Sequence, residues 1–260
     1  MNASALAAVL LCAGFLAPQG RAAPRAGAPA AKRRPLAGLV VRSKDWVVHR
    51  GTDTVEEWTG DVSYRRQGRE IWADWAQRRH VDDRWLARGR VRAVWTAEDG
   101  AVTQARGDEA RYGGEAESGT LLPKPGDFLD LERREPDRLE PARARARKMT
   151  WDAQGRRARL EGDVYAWGPE GKAWAGAADI DDDAKRLDLS GRRPVLLYDA
   201  RECPRRVGRD TDASKAPPKC KRFNGAVQAD RIAAFKSPRS IEGEGAVRGW
   251  VVFERRPSKP

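Results

Sequence analysis

Apolar and polar residues alternate along several short segments of the chain. Val62 and Tyr64 are separated by Ser63, and the same period of two recurs elsewhere, with Ile71, Ala73 and Trp75 in one segment and Leu187 and Leu189 in another. This period is typical of strands that turn one face inwards. Turn pairs such as Gln67-Gly68 separate the segments. No segment keeps apolar residues at helical spacing over three turns. The pattern predicts an all-β protein of short antiparallel strands, each about 6 to 8 residues long.

A degenerate repeat underlies this pattern. Its clearest copies have a glycine two residues before a valine: Gly60-Asp61-Val62, Gly89-Arg90-Val91, Gly162-Asp163-Val164 and Gly245-Ala246-Val247. A small residue followed by aspartate lies between them: Ala73-Asp74, Gly107-Asp108, Ala178-Asp179 and Ala229-Asp230. The glycines fit bulges or turn exits that need unusual backbone angles, and we expect the aspartates to bond the local backbone. The repeat predicts one continuous β architecture, with two separate β domains as the alternative.

Residues 44–253 form the predicted β region, and residues 254–260 form a tail. Within this region, residues 121–141 contain four prolines among charged residues, at positions 123, 125, 136 and 141. Proline is unfavourable in strand interiors. We therefore predict a loop or a strand interruption at 121–141.

The N-terminus has the features of an export signal. Residues 1–17 contain no charged side chain, and the apolar run Ala5 to Ala17 is too short to cross a bilayer. Gly20 and Ala22 fit cleavage after Ala22, which predicts a signal peptide at 1–22, a flexible Ala/Pro/basic tail at 23–43 and a periplasmic protein. An uncleaved apolar helix and lipidation at Cys12 remain alternatives.

Export affects the interpretation of the cysteines. Removal of Cys12 leaves Cys203 and Cys220 as a pair in an oxidising compartment. We predict a disulfide between them that closes an insertion at 199–223. The two histidines, His49 and His80, are far from this pair in sequence, which argues against a metal site there.

The charge and the reactive residues exclude two classes of function. The net charge is +12, but Arg25, Lys32, Arg33 and Arg34 lie in the Ala/Pro-rich tail, and residues 199–223 contain eight basic and four acidic residues. The remaining chain has no basic face of the kind that binds nucleic acid. The sequence contains no nucleophile elbow, phosphate-binding loop or metal-ligand spacing. We therefore predict a non-enzyme without cofactor or metal.

The repeat units resemble the strand–turn–strand unit of the LptA/OstA lipopolysaccharide-transport family. The clearest unit runs from Glu57 to Tyr64, reading EWTGDVSY, and continues from Ile71 to Ala76 as IWADWA. Looser copies begin at Trp85 and Met149, and the resemblance covers roughly residues 46–253 without the cysteine insertion. The resemblance implies a tapered, partly open β-jellyroll whose two sheets enclose an apolar groove.

The resemblance also implies what the groove holds and what the edges bind. In that family the groove shelters the acyl chains of lipopolysaccharide, and modules stack through edge strands into a bridge between the membranes. The expected partners are therefore lipopolysaccharide with its lipid A part, other OstA-like modules and further copies of the chain arranged head to tail. The groove candidates are Val62, Tyr64, Ile71, Trp75, Val91, Val164, Trp174 and Ile241.

Three departures from the family pattern leave the strand count and the groove width open. They are the interrupted middle at 121–141, the cysteine insertion, and the abundance of Trp and Ala at apolar strand positions. Two alternative functions also remain. One is an LptC-like component that keeps an N-terminal membrane helix, and the other is a structural or polysaccharide-binding β-repeat protein of the cell envelope.

Overall fold

The computed structural model describes residues 40–66, 69–96, 100–113, 118–136, 138–152, 157–181, 183–202, 221–236 and 239–253. Over these ranges it contains strands and no helix, which confirms the all-β prediction. The strands are β1 (Val40–Arg42), β2 (Asp45–His49), β3 (Val55–Arg66), β4 (Arg69–Arg79), β5 (Arg84–Thr96), β6 (Val102–Gly113), β7 (Ser118–Leu122), β8 (Leu129–Arg134), β9 (Ala142–Ala146), β10 (Lys148–Asp152), β11 (Arg157–Gly168), β12 (Gly171–Asp181), β13 (Arg186–Ser190), β14 (Val195–Glu202), β15 (Lys221–Gln228), β16 (Arg231–Lys236), β17 (Arg239–Glu244) and β18 (Arg248–Phe253).

The strands pair antiparallel in two facing halves, here called sheet 1 and sheet 2. Sheet 1 has the order β2-β3-β4-β5-β6-β7-β10-β11-β12-β13-β16-β17. Sheet 2 has the order β1-β3-β4-β5-β6-β8-β9-β11-β12-β14-β15-β18. Six long strands, β3 to β6, β11 and β12, belong to both sheets. This arrangement agrees with the predicted partly open β-jellyroll.

Three of the long strands, β3, β5 and β11, pass from one sheet to the other at glycine corners. Gly60, Gly89 and Gly162 have φ angles of +78°, +76° and +80°. The register of strand pairing shifts at the same points, between residues 59 and 62, 88 and 91, and 161 and 164. A left-handed residue in a bulge increases the local bend of a strand. Three of the four Gly-x-Val copies therefore mark corners of the sandwich, as their predicted role in bulges required, whereas Gly245 lies in the turn between β17 and β18.

The inner faces of the two sheets differ in side-chain size. Neighbouring strands of sheet 1 place Leu121, Met149, Leu160, Ala178, Leu189 and Ile232 side by side, whereas those of sheet 2 place Ala93, Ala105, Leu131, Ala144, Ala166 and Ala173 side by side. Large residues facing small ones pack closely. The void between the sheets at β9 and β11 to β13 is only about 10 Å³, no larger than one water molecule needs. This part of the interior is a dry core.

Four boundaries differ from the sequence-based prediction. The six long strands contain 11 to 13 residues each, because a corner bends a strand without ending it. The segment 121–141, predicted as a loop, contains β8, in which Leu129 and Leu131 are buried. The four prolines of this segment lie outside β8. Residues 40–42 of the predicted tail form β1. The ends of the predicted insertion, 199–202 and 221–223, form paired ends of β14 and β15.

Several predicted features lie outside the described residues. These are the signal peptide at 1–22, the tail up to residue 39, the pair Cys203 and Cys220 with the insertion between them, and the tail at 254–260.

Candidate functional site

An aromatic cluster joins the two sheets at the end nearest β1 and β2. The rings of Trp58 and Trp85, both on the inner face of sheet 1, stack with centroids 5.6 Å apart and planes within 4°. Tyr64 from the inner face of sheet 2 meets Trp85 edge to face, with centroids 5.6 Å apart and planes at 74°. Offset and edge-to-face contacts are the favoured geometries of aromatic pairs. Trp85 therefore bridges the two sheets at this end.

The inner surface is more open at this end than in the middle of the molecule. Inward apolar residues of β3 to β6 are buried at Trp58, Val62, Ala73, Ala76, Val91, Trp95 and Ala105, whereas another set with β1 is only half-buried: Val41, Tyr64, Ile71, Trp85, Ala87, Ala93 and Ala110. In β11 to β13 the corresponding positions are buried. We call the half-buried set the open inner face. It combines apolar surface with partial access to solvent, as a lipid-binding cleft requires.

Polar groups border the open inner face. Arg78 lies beside Trp85 in the register of β4 and β5, with its guanidinium carbon 5.1 Å from the indole centroid. Its Nη2 donates to Asp83 Oδ1 over 2.8 Å. The ring Nε2 of His80 lies 2.9 Å from Glu56 Oε1. This border gives the end of the sandwich an amphipathic rim.

Six of the eight predicted groove residues face the interior, at different depths. Val62, Val91 and Val164 are at most 4% exposed and belong to the packed core. Tyr64 and Ile71 lie on the open inner face. Ile241 on β17 is half-buried and packs against the core at the opposite end of the molecule.

The prediction that Trp75 and Trp174 face inwards is wrong. Trp75 Nε1 donates to Glu57 Oε1 over 2.7 Å and its ring packs beside Arg88, whereas the neighbouring Ala76 is buried. The pairing of β4 with β3 and with β5 shifts register near Asp74. Beyond this point the residues of β4 that face inwards are the even-numbered ones, such as Ala76. Trp174 is 40% exposed and stacks on Tyr165 outside sheet 2, because its neighbours Ala173 and Ala175 point into the core.

Both ends of the sandwich leave apolar strands without a neighbour on one side. At one end β1 and β2 pair only with β3, and at the other β17 pairs with β16 and β18 with β15, among the described strands. Trp46 on β2 is 60% exposed, and Trp250 on β18 is 54% exposed. Exposed apolar edges of this kind are templates for pairing with another chain. The sequence did not show which strands form these edges.

Many ionisable groups of the described residues form ion pairs across neighbouring strands. The pKa of Asp74 lies below its ordinary value because the side chain of Arg90 hydrogen-bonds to it across the corner. Hydrogen bonding and charge from Lys44 lower the pKa of Asp61 in the same way. The expectation that the recurring aspartates bond the local backbone is thus incomplete, since Asp74 pairs with an arginine of the next strand.

Neither a metal centre nor a membrane-spanning helix occurs in the part of the chain that the structure describes. No three or more His, Cys, Asp or Glu side chains there are grouped so that they would hold a metal ion. No helix there is long and apolar enough to cross a bilayer.

Alternation along the chain does not predict the contact that joins the sheets. Trp58 and Trp85 are prominent in the sequence, and Trp58 alternates with polar neighbours in the repeat unit EWTGDVSY. Their meeting follows from the register Trp58↔Ala76↔Ala87, which places Trp85 two residues along the same face. The alternation around Trp58 therefore indicates that Trp58 faces inwards. That Trp85 contacts it follows only from the register of β3, β4 and β5.

Comparison with known proteins finds similar solved structures but no match by sequence. No protein-family model matches the chain, and no curated protein matches its sequence. Among solved structures, the chain is similar to LptH from Pseudomonas aeruginosa, which is described as the LptA homologous periplasmic component of the conserved lipopolysaccharide transport device. The similarity covers 71% of this chain and 92% of that chain, with 8% sequence identity and a TM-score of 0.29. At these values it does not assign the chain to a family.

Proposed function

We propose that the protein is a periplasmic lipopolysaccharide-binding carrier or bridge component of lipopolysaccharide transport to the outer membrane. The observation that carries the proposal is the open inner face, where apolar and aromatic side chains of two facing sheets stay half-buried. The resemblance of the repeat units to the LptA/OstA family adds the class of cargo. The LptC-like and polysaccharide-binding alternatives remain the rivals of this proposal.

Binding acyl chains requires dry surface more than reactive groups. Each buried CH₂ contributes about 0.8 kcal/mol, so a few methylenes placed against Tyr64 and Ile71 would give measurable affinity. The dry core at β11 to β13 has no comparable space. We therefore place the cargo at the open inner face, with Tyr64, Ile71 and Trp85 as its principal contacts.

Mass spectrometry of lipid that copurifies with the full chain tests the class of cargo. We expect lipid A species in organic extracts of the protein purified from a Gram-negative periplasm. A mature N-terminus beginning after residue 22 is expected in the same spectra, whereas an intact Met1 would favour the LptC-like form. Extracts without any bound lipid would contradict the carrier proposal.

Photocrosslinking tests the location of the cargo. A photoreactive phenylalanine at Ile71 or Tyr64 is expected to form adducts with lipid A in cells. The adjacent outward positions Trp72 and Ser63 are matched controls, and they should form none because strand neighbours point to opposite faces. Val164, in the dry core, should also form none. Equal adducts from inward and outward positions would exclude the open inner face as the site.

Edge-strand pairing is the proposed route to a bridge. We expect Trp250→Glu to weaken head-to-tail self-association at least tenfold, because it places charge on the exposed apolar strand β18. Analytical ultracentrifugation across a concentration series measures this change. Leu139→Glu is the matched control, since Leu139 is fully exposed away from both edges. An unchanged association constant for Trp250→Glu would remove β18 from the interface.

A further inference from the structure

A large depression lies on the outer surface of sheet 1, and the register row of Trp85, Tyr112 and Trp151 also contributes to its lining. Its volume is about 570 Å³, and β4, β5, β6, β7 and β10 contribute to its lining. Another register row crosses it: Gln77, Leu86, Arg111, Thr120 and Thr150. These residues alternate along their strands with inward positions such as Ala76, Ala110, Leu121 and Met149, so their side chains point outwards. The volume is in the range of small-molecule sites.

Four arginines surround the depression: Arg79, Arg84, Arg88 and Arg111. Their side chains are 45 to 69% exposed, whereas the carboxylates that pair with them, Asp53, Asp82 and Glu109, are only 17 to 28% exposed. The acidic groups are thus recessed and the guanidinium groups form the accessible layer. The depression presents a positive surface to solution.

The recessed carboxylates hold the arginines in place without using all of their donors. Glu109 accepts from Arg88 Nε over 2.8 Å and from Arg111 Nε over 2.6 Å. Although partial burial raises the pKa of Glu109, the hydrogen bonds from these two arginines bring it below its ordinary value, so Glu109 stays ionised. Arg84 Nε pairs with Asp82 Oδ2 over 2.9 Å. A guanidinium has five N–H donors, and those that remain can receive an anion.

Neutral groups also contribute to the lining. Ser118, Thr120 and Thr150 are hydroxyl-bearing residues, Gln77 is an amide, and Leu86 is apolar. Hydroxyls both donate and accept hydrogen bonds, as the hydroxyl groups of a sugar do. Guanidinium groups are suited to carboxylate and phosphate. A ligand that carries both kinds of group matches this lining better than a simple anion or a neutral sugar.

We propose that the outer depression of sheet 1 binds an acidic saccharide, carboxylated or phosphorylated, through Arg84, Arg88 and Arg111. Its arginines lie on the outer face of sheet 1, opposite the open inner face, although Trp85 contributes to both regions. The proposal does not depend on the cargo proposed for the open inner face. The same chemistry occurs in the sugar head group of an amphiphile and in a free acidic polysaccharide, and a binding experiment distinguishes these sources.

Calorimetric titration of the full chain tests the site with three soluble probes: trigalacturonate, deacylated lipopolysaccharide and neutral maltotriose. We expect one or both acidic probes to bind and maltotriose not to bind, with affinity that falls as salt rises. The stronger acidic probe identifies the source. Equal binding of maltotriose would overturn the proposal, and so would binding to phosphatidylglycerol vesicles without binding to either acidic probe.

Arg84→Ala and Arg111→Ala test whether these arginines bind the saccharide. Neither substitution removes the last ion-pair partner of a recessed carboxylate. Asp82 keeps Arg79, and Glu109 keeps Arg88. We expect each substitution to weaken binding about tenfold, as the loss of a charge-assisted hydrogen bond does. Arg134→Ala is the matched control, because Arg134 shares the recessed Glu132 with Arg143 outside sheet 2. If Arg134→Ala weakens binding as much as Arg111→Ala, the depression is not the site.

The outcome is independent of the lipid experiments. Lipid A adducts at Ile71 are expected to persist in Arg84→Ala and Arg111→Ala, because these side chains lie on the outer face. Loss of saccharide binding with intact adducts supports two separate sites. Absence of adducts in every variant would contradict the carrier proposal and leave the saccharide result standing.

Discussion

Replacing Gly162 with alanine is expected to lower the free energy of unfolding by about 3 kcal/mol. The φ angle of +80° at this corner is in the left-handed region, which costs an L residue roughly 1–2 kcal/mol. An added Cβ would also lie 2.6 Å from Arg147 Cβ, and relieving such a contact in a packed site costs about 1–3 kcal/mol. Arg147 cannot move away freely, because its N–H donates to the carbonyls of Glu161 and Gly162 over 2.8 and 3.0 Å.

Two further variants separate the backbone cost from the steric cost. Gly126 has a similar φ of +90° but open space around it, so Gly126→Ala should show the conformational cost alone. Arg147→Gly in the Gly162→Ala background should recover part of the loss, because it removes the clashing Cβ. Urea unfolding followed by tryptophan fluorescence measures all three. Equal losses for Gly126→Ala and Gly162→Ala would show that the corner tolerates a side chain.

The corners show how far the sequence predicted this fold. The pattern located Gly60, Gly89 and Gly162 and assigned them to bulges because their spacing and the following valine were visible in the chain. It also placed strand starts there and so predicted strands about half as long as those observed. A residue such as Gly162 bends β11 without ending it because β12 pairs with both halves of β11, while β10 pairs with the half before Gly162 and β9 with the half after it. That pairing is a long-range property, and local alternation does not encode it.

The same limit explains the errors at the candidate site. Alternation predicted Ile71 and Tyr64 as inward residues, and it failed for Trp75, where a count of two from Ala73 crosses the register shift at Asp74. Trp174 was also predicted as a groove residue, whereas the small Ala173 and Ala175 occupy the interior because the leucines of sheet 1 fill the space opposite. How far each inward side chain is buried depends on the residues of the opposite sheet, which alternation along one strand does not predict.

The second large effect is expected in the dry core, where Leu189→Ala should cost about 2–5 kcal/mol. Leu189 is 1% exposed and borders the same small void as Ala173 of the opposite sheet. The surrounding alanines have no side-chain freedom with which to fill the space, so we expect a value in the upper half of that range. Urea unfolding measures the loss, and Leu139→Ala, at a fully exposed leucine, should change stability by no more than about 0.5 kcal/mol.

Exchanging the sizes of the two residues tests the packing itself. The double variant Leu189→Ala with Ala173→Leu conserves the volume around the void, and volume-conserving changes are tolerated best. We expect its loss of stability to be smaller than the sum of the two single losses, because residues that share a void are energetically coupled. Strictly additive losses would mean that the two sheets do not meet at these residues. Because the void holds no more than a water molecule, coupling here would also support placing an acyl chain at the open inner face and not in the centre of the sandwich.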